Sequence, residues 1–178
     1  MDALIVIDMQ VGLLAGGPKH QLQEVIDRIN RLAAMARERG GKVIWIQHCG
    51  PEATEFAPGQ PGWNFLPELR RKDGDIVVSK TLNDAFAGTD LTTRLQQLAP
   101  DRLLITGWAT DFCVDTTLRS AVSRGYNVVA VSDAQTLADR PHLDAAGVIG
   151  HHTWVWSNLI APGSIRVATT AELLAETA

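Results

Sequence analysis

The chain has 178 residues, 46% of them apolar and 20% charged, which is the make-up of one globular domain and not of a disordered or fibrous chain. Sixteen basic against twenty acidic residues leave a formal charge of -4, so no overall positive field is available to hold nucleic acid. No apolar run approaches the roughly 18 residues of a membrane-spanning helix. The N-terminus enters an apolar stretch without a basic leader, and the two cysteines, Cys49 and Cys113, match neither a disulfide framework nor a Cys-x-x-Cys pair. The expectation is a single cytoplasmic domain over 1–178 with reduced thiols, no membrane partner and no nucleic-acid partner.

In chain order, the first element is a strand over Ala3–Ile7, ending in Asp8-Met9-Gln10. Leu22, Val25, Ile26, Ile29, Leu32, Ala33 and Ala36 then recur at helical spacing up to a Gly40-Gly41 stop, which predicts an amphipathic helix covering a sheet. A second strand over Lys42–Ile46 ends in Gln47-His48. Cys49 to Gly74 carries four prolines and four glycines and reads as a long loop, a feature that in compact domains is usually functional. A third strand over Asp75–Val78 ends in Ser79-Lys80, and Leu91, Leu95 and Leu98 mark a short helix closed by Pro100. The fourth strand, Arg102–Thr106, runs into Gly107-Trp108-Ala109-Thr110-Asp111-Phe112-Cys113, followed by a helix through Val114, Leu118 and Val122 that stops at Gly125. Asn127–Val131 is a fifth strand ending in Ser132-Asp133, and Ser164–Val167 a weaker sixth. The HHTWVWSN stretch between them shows no clear period, leaving Trp154 and Trp156 open between core and subunit contact.

Unalternating apolar strands separated by helices predict a mostly parallel sheet covered on both faces, a three-layer α/β/α sandwich. In such sheets ligands bind beyond the carboxyl ends of the strands. There the chain sets an acid, Asp8, an amine, Lys80, and a thiol, Cys113. Cys113 falls where the helix after the fourth strand begins, so backbone N–H groups and the helix dipole favour its thiolate. An Asp within reach takes a thiol proton, and a neighbouring ammonium holds a thiolate. Each residue also has an ordinary reading: a buried Cys, a capping Asp, a solvated Lys. Leu13, Trp63, Phe86, Trp108 and Phe112 fall close to these positions or within the long loop and are candidate walls of a binding pocket, or else core.

LIVIDMQ at 4–10, VIWIQH at 43–48, PGQPGWNFLPEL at 58–69, GDIVVSKTLNDAFAGTDL at 74–91, GWATDFCVDTTLRSAVSRGYNVVAVSDA at 107–134 and HH at 151–152 together resemble the isochorismatase-like cysteine hydrolases. That group includes nicotinamidases, N-carbamoylsarcosine amidases, ureidoacrylate hydrolases and streptothricin hydrolases. The resemblance implies a six-stranded sheet in the order 3-2-1-4-5-6 and a catalytic triad of Asp8, Lys80 and Cys113. It also implies an oxyanion hole from the N–H groups of Ala109 and Cys113, a cis Trp108-Ala109 bond, and a homodimer or homotetramer. The reaction implied is hydrolysis of a carbon–nitrogen bond, in an amide, ureido compound or lactam of a small-molecule substrate, through a thioester and without a cofactor.

Two departures narrow the reading. The Asp-x-His pair and second His by which some nicotinamidases hold a metal are absent, since Gln47-His48-Cys49 is followed by no His before His142; no metal is expected, and His48 is read as a structural or pocket residue. The nucleophilic Cys argues against vinyl-ether cleavage. Asp84 replaces the family's Ser before Ala-Phe, which unsettles the hydrogen bonding around Lys80. The rival readings are a catalytically silent binding or scaffolding member and a Rossmann-type nucleotide binder, the latter lacking its Gly-rich fingerprint after the first strand.

Overall fold

The computed structural model describes residues 1–176. Its centre is a six-stranded sheet in the order β3-β2-β1-β4-β5-β6, with every pairing parallel. The strands are β1 (Asp2–Ile7), β2 (Lys42–His48), β3 (Ile76–Lys80), β4 (Arg102–Trp108), β5 (Val128–Thr136) and β6 (Ile165–Ala168). The helices are α1 (Val11–Leu14), α2 (Leu22–Glu38), α3 (Leu91–Leu98), α4 (Asp115–Ser123), α5 (Ala145–Ser157) and α6 (Thr170–Ala175). None is long and apolar enough to cross a membrane among the described residues.

The two-residue period of the strands divides the core. Leu4 and Val6 of β1 face α2, whose Val25, Ile26, Ile29, Leu32 and Ala36 fill one side. Ala3, Ile5 and Ile7 face the other, built by Leu91 and Leu95 of α3 and Leu118 and Val122 of α4. Because both faces are covered, no strand needs a polar side until its carboxyl end. The change of character at Asp8, His48 and Lys80 is therefore a change from sandwich to rim.

Three elements differ from the sequence reading. β5 continues past Ser132-Asp133 to Thr136, with its register against β4 shifting between Ile105 and Gly107. Asp133 does not end the strand; its Oδ1 accepts from the N–H of Thr170 at 2.7 Å and tethers the start of α6. The stretch through His151 and Trp156 is helical: α5 buries Trp156 completely, with Nε1 donating to Asp115 Oδ1 at 2.7 Å, while Trp154 is 66% exposed. Trp156 is thus core. The α6 start carries a capping box between Thr169 and Glu172 that the apolar pattern did not reveal.

The segment from Cys49 to Gly74 is irregular apart from one 3-10 turn at Pro61–Trp63. It is held down by Gln10, whose Nε2 donates to the carbonyls of His48 at 3.0 Å and Trp63 at 2.8 Å, and whose Oε1 accepts from the His48 N–H at 2.7 Å. Gln47 adds a further bond to the Trp63 carbonyl at 2.9 Å. The buried amide of Asp-x-Gln is a clamp between β1, β2 and the loop.

Candidate active site

β1 and β4 are neighbours, and the chain leaves them in opposite directions across the sheet, which opens a crevice at their carboxyl ends. Their approach depends on Gly107. It sits opposite Ile7 at φ +120°, and a Cβ there would lie 2.2 Å from the Ile7 carbonyl oxygen. Asp8 follows with φ 52°, a left-handed turn that ends the strand, and its N–H still donates to the Ile46 carbonyl at 3.0 Å. On the other side β4 ends in the cis Trp108-Ala109 peptide and a π-helical turn over Thr110–Val114. Cys113 lies in that turn, immediately before α4.

Lys80 comes from β3, two strands from β1, yet it reaches the crevice: Nζ is 2.6 Å from Asp8 Oδ2. The same ammonium donates to Cys113 Sγ at 3.3 Å and to the Leu82 carbonyl at 3.0 Å. Asp8 and Lys80 are 1% and 2% exposed, so this pair is almost wholly removed from bulk solvent, and Asp8 Oδ1 has no hydrogen-bond partner among the described residues. Asn83 adds its Oδ1 at 3.7 Å from the sulfur.

Burial raises the Asp8 carboxyl above its ordinary range, against the opposing pull of Lys80. Burial, helped by the Asp8 charge, pushes the Cys113 thiol up to about 12. This is opposite in direction to the expectation drawn from the helix start. Cys113 sits in a π turn against a carboxylate, and the loss of solvent around the sulfur outweighs the favourable Lys80 charge. Burial thus favours the protonated sulfur. An acid and a thiol that both hold protons more tightly than usual, bridged by one ammonium, are arranged to pass a proton between them.

A cavity of about 250 Å³ opens above these groups. Asp8, Cys113 and Asn83 reach it from below; Leu13, Trp108, Ala109 and Phe112 form walls; His48 and Arg140 complete it. Of the proposed pocket residues, Leu13, Trp108 and Phe112 are therefore brought to the site. Trp63 and Phe86 are not. Trp63 turns its Nε1 to the Cys49 sulfur at 3.3 Å, in the loop packing. Phe86 is 5% exposed in the core, its ring stacked on Tyr126 with centroids 5.9 Å apart, because the helix-bound segment after Lys80 turns it inward. Asp84, in the place of the family's Ser, accepts from the Phe86 N–H at 2.8 Å and from Ser120 Oγ at 2.8 Å, and so pins the segment behind Lys80.

His48, opposite Lys80 in the β2–β3 register, has a buried Nδ1 without a hydrogen-bond partner among the described residues. Burial, then the Lys80 charge, lowers its pKa, which leaves a neutral imidazole on the cavity wall. Among the described residues no three His, Cys, Asp or Glu side chains gather as a metal-ligand set. Asn83 and Arg140 escaped the sequence reading. Asn83 is only three residues beyond Lys80, a proximity that could have found it; Arg140 comes from beyond β5 and is placed by Asp111, a partner 29 residues away.

Residues 2–151 match the isochorismatase domain family model. The chain belongs to the isochorismatase family. Within that family it is 32% identical to streptothricin hydrolase of Streptomyces noursei over 79% of this chain, although it spans only 51% of that protein's length. It is 32% identical to the ureidoacrylate amidohydrolase RutB of Methylorubrum extorquens, over 79% of this chain and 71% of that one. Among solved structures, an isochorismatase of Pseudomonas putida superposes with TM-score 0.85 at 31% identity, covering 96% of this chain and 89% of the other. A cysteine hydrolase of Pseudomonas syringae pv. phaseolicola gives TM-score 0.86 at 26% identity, with coverages of 97% and 90%. The protein is thus an isochorismatase-family hydrolase, with its sheet order and switch point as the family resemblance implied.

Proposed function

We propose that this hydrolase cleaves a carbon–nitrogen bond of a small amide, ureido compound or lactam, with Cys113 as nucleophile. The observation that carries the reading is the Lys80 ammonium touching both the Asp8 carboxylate and the Cys113 sulfur, two groups that line a cavity. The relatives that act on streptothricin and ureidoacrylate support it.

In the proposed cycle, the substrate carbonyl lies over Sγ and Asp8 takes the thiol proton as the sulfur–carbon bond forms. The raised carboxyl pKa makes Asp8 a stronger base than a surface carboxylate, and Lys80 balances the charge that moves to the sulfur. The oxyanion accepts from the N–H groups of Ala109 and Cys113; such a donor typically contributes about 100- to 1000-fold in rate. Collapse breaks the carbon–nitrogen bond, and the proton held by Asp8 goes to the leaving nitrogen. A water then gives its proton to Asp8, adds to the thioester and releases the acid, while the departing sulfur recovers that proton. His48, neutral and with a free ring nitrogen, is placed to hold a polar group of the substrate.

The experiment is a panel of small amides, carbamoyl and ureido compounds and lactams, read by release of ammonia or acid. Turnover of at least one class is expected, lost in Cys113→Ala and Asp8→Asn. Full activity in Cys113→Ala overturns covalent catalysis. A silent, ligand-binding member would turn over none of the panel.

A further inference from the structure

Phe112 and Arg140 do not belong to the catalytic cavity alone. They also line a second, wider cleft of about 620 Å³, built against α5 and the segment that leads into it. Phe112 is 52% exposed, and the Arg140 guanidinium carbon stands 5.3 Å from its ring centroid, so the two side chains form a shared wall. The catalytic cavity and the cleft therefore border on the same two side chains.

The chemistry of the cleft is one-sided. Pro141, Leu143 and Val148 give it apolar surface. Among the described residues its one lining carboxylate is Asp111, and both oxygens of that group are occupied by Arg140, through Nε and Nη2 at 2.7 Å each. The remaining polar groups are donors or potential donors: Arg140 Nη1, which makes no hydrogen bond among the described residues, and the rings of His142, His151 and His152. His152 is steadied by a 2.9 Å contact of Nδ1 with the Val148 carbonyl. One carboxylate already paired, against a guanidinium and three imidazoles, makes a donor-rich patch in a chain of net charge -4. The Asp111 fork fixes the guanidinium plane and so aims its free edge.

We propose that this cleft holds the part of the substrate distal to the scissile bond and selects molecules that end there in a carboxylate. The inference rests on Cys113 being the reacting group, because it measures "distal" from that sulfur. Asp111 acts as a positioning residue for Arg140, and Arg140 sets specificity. Leu143 and Val148 take the apolar link between amide and carboxylate.

The test measures binding, not turnover. Calorimetry on the 178-residue Cys113→Ala protein compares acetamidobutanoate and acetamidohexanoate with N-butylacetamide and N-hexylacetamide. At least one carboxylate is expected to bind about tenfold or more tighter than its neutral counterpart, the size of a charge-assisted hydrogen bond. Arg140→Gln removes that preference, Arg140→Lys restores part of it, and Leu143→Trp weakens both long-chain acids by narrowing the cleft. Unfolding midpoints and the rate at which iodoacetamide labels Cys113, the latter in variants that retain the thiol, verify that the substitutions leave the fold and catalytic cavity in place. Carboxylates that bind no tighter than the neutral amides, a preference that survives Arg140→Gln, or undiminished binding of the acids to Leu143→Trp, overturn the proposal. Absence of turnover by the unsubstituted enzyme with the binding preference intact strikes at Cys113 as the reacting group and leaves the cleft as a carboxylate-binding site only.

Discussion

Lys80 and Asp8 form an ion pair with 2.6 Å between Nζ and Oδ2, both side chains essentially without solvent contact, although their strands are separated by β2. The ammonium reaches the carboxylate across the end of β2, where His48 stands opposite Lys80 in register. The pair crosses the rim of the sheet and ties its edge strand to the crevice.

Breaking such a pair from one side leaves an uncompensated buried charge, at a cost of about 3 to 5 kcal/mol. Lys80→Met is therefore expected to lower stability by about that amount, read by urea unfolding. The double variant Asp8→Asn, Lys80→Met should lose less than the sum of the single losses. Additive losses would show that the two groups do not compensate each other.

Alkaline pH should act through Cys113. Its thiol ionises near 9.0 when unfolded and at about 12 when folded, so the folded state holds the proton more tightly. That contribution to stability is complete below pH 9 and is lost as pH rises toward 12. Between pH 8 and pH 10.5 the unsubstituted protein should lose more stability than Cys113→Ala. Equal pH slopes for the two proteins would mean that the thiol is not held protonated.

The Asp8 charge is one cause of that raised thiol pKa. Asp8→Asn should therefore ionise Cys113 at lower pH, and iodoacetamide should label it faster at pH 8 even though hydrolysis is lost. Labelling followed by mass spectrometry reads this directly, with Cys49 as the internal comparison. Slower labelling in Asp8→Asn would assign the carboxylate the role of base toward alkylating agents too.

Gly107→Ala places a methyl group 2.2 Å from the Ile7 carbonyl and in a backbone region that alanine avoids. Relief requires β1 and β4 to separate where the crevice begins. The expected outcome is a loss of more than about 4 kcal/mol, or no folded protein at all, measured by thermal unfolding of the soluble fraction.

Gln10→Ala removes the clamp on His48 and Trp63 and takes the side-chain partner from the His48 N–H and carbonyl, each costing about 1 to 3 kcal/mol, while Gln47 still donates to the Trp63 carbonyl. The loop over 49–74 should become the first site of proteolytic cleavage while the rest of the sheet persists. Unchanged cleavage kinetics would show that the loop is held by its apolar contacts alone.

The layered fold, the parallel sheet and the three residues Asp8, Lys80 and Cys113 were all legible in the amino-acid order, because each depends on local pattern. A buried strand is an apolar run, an amphipathic helix has its period, and a polar residue ending a buried strand must lie at the rim. The tertiary structure alone decided what those residues meet. Burial from several elements converging on one sulfur set its protonation, against the direction that position before a helix suggested. The packing of the segment after β3 turned Phe86 into the core, and the chain beyond β5 brought Arg140 to Asp111 and to the border of two cavities. Desolvation and pairing over long sequence separations sum contributions from distant parts of the chain, and no local pattern encodes such a sum.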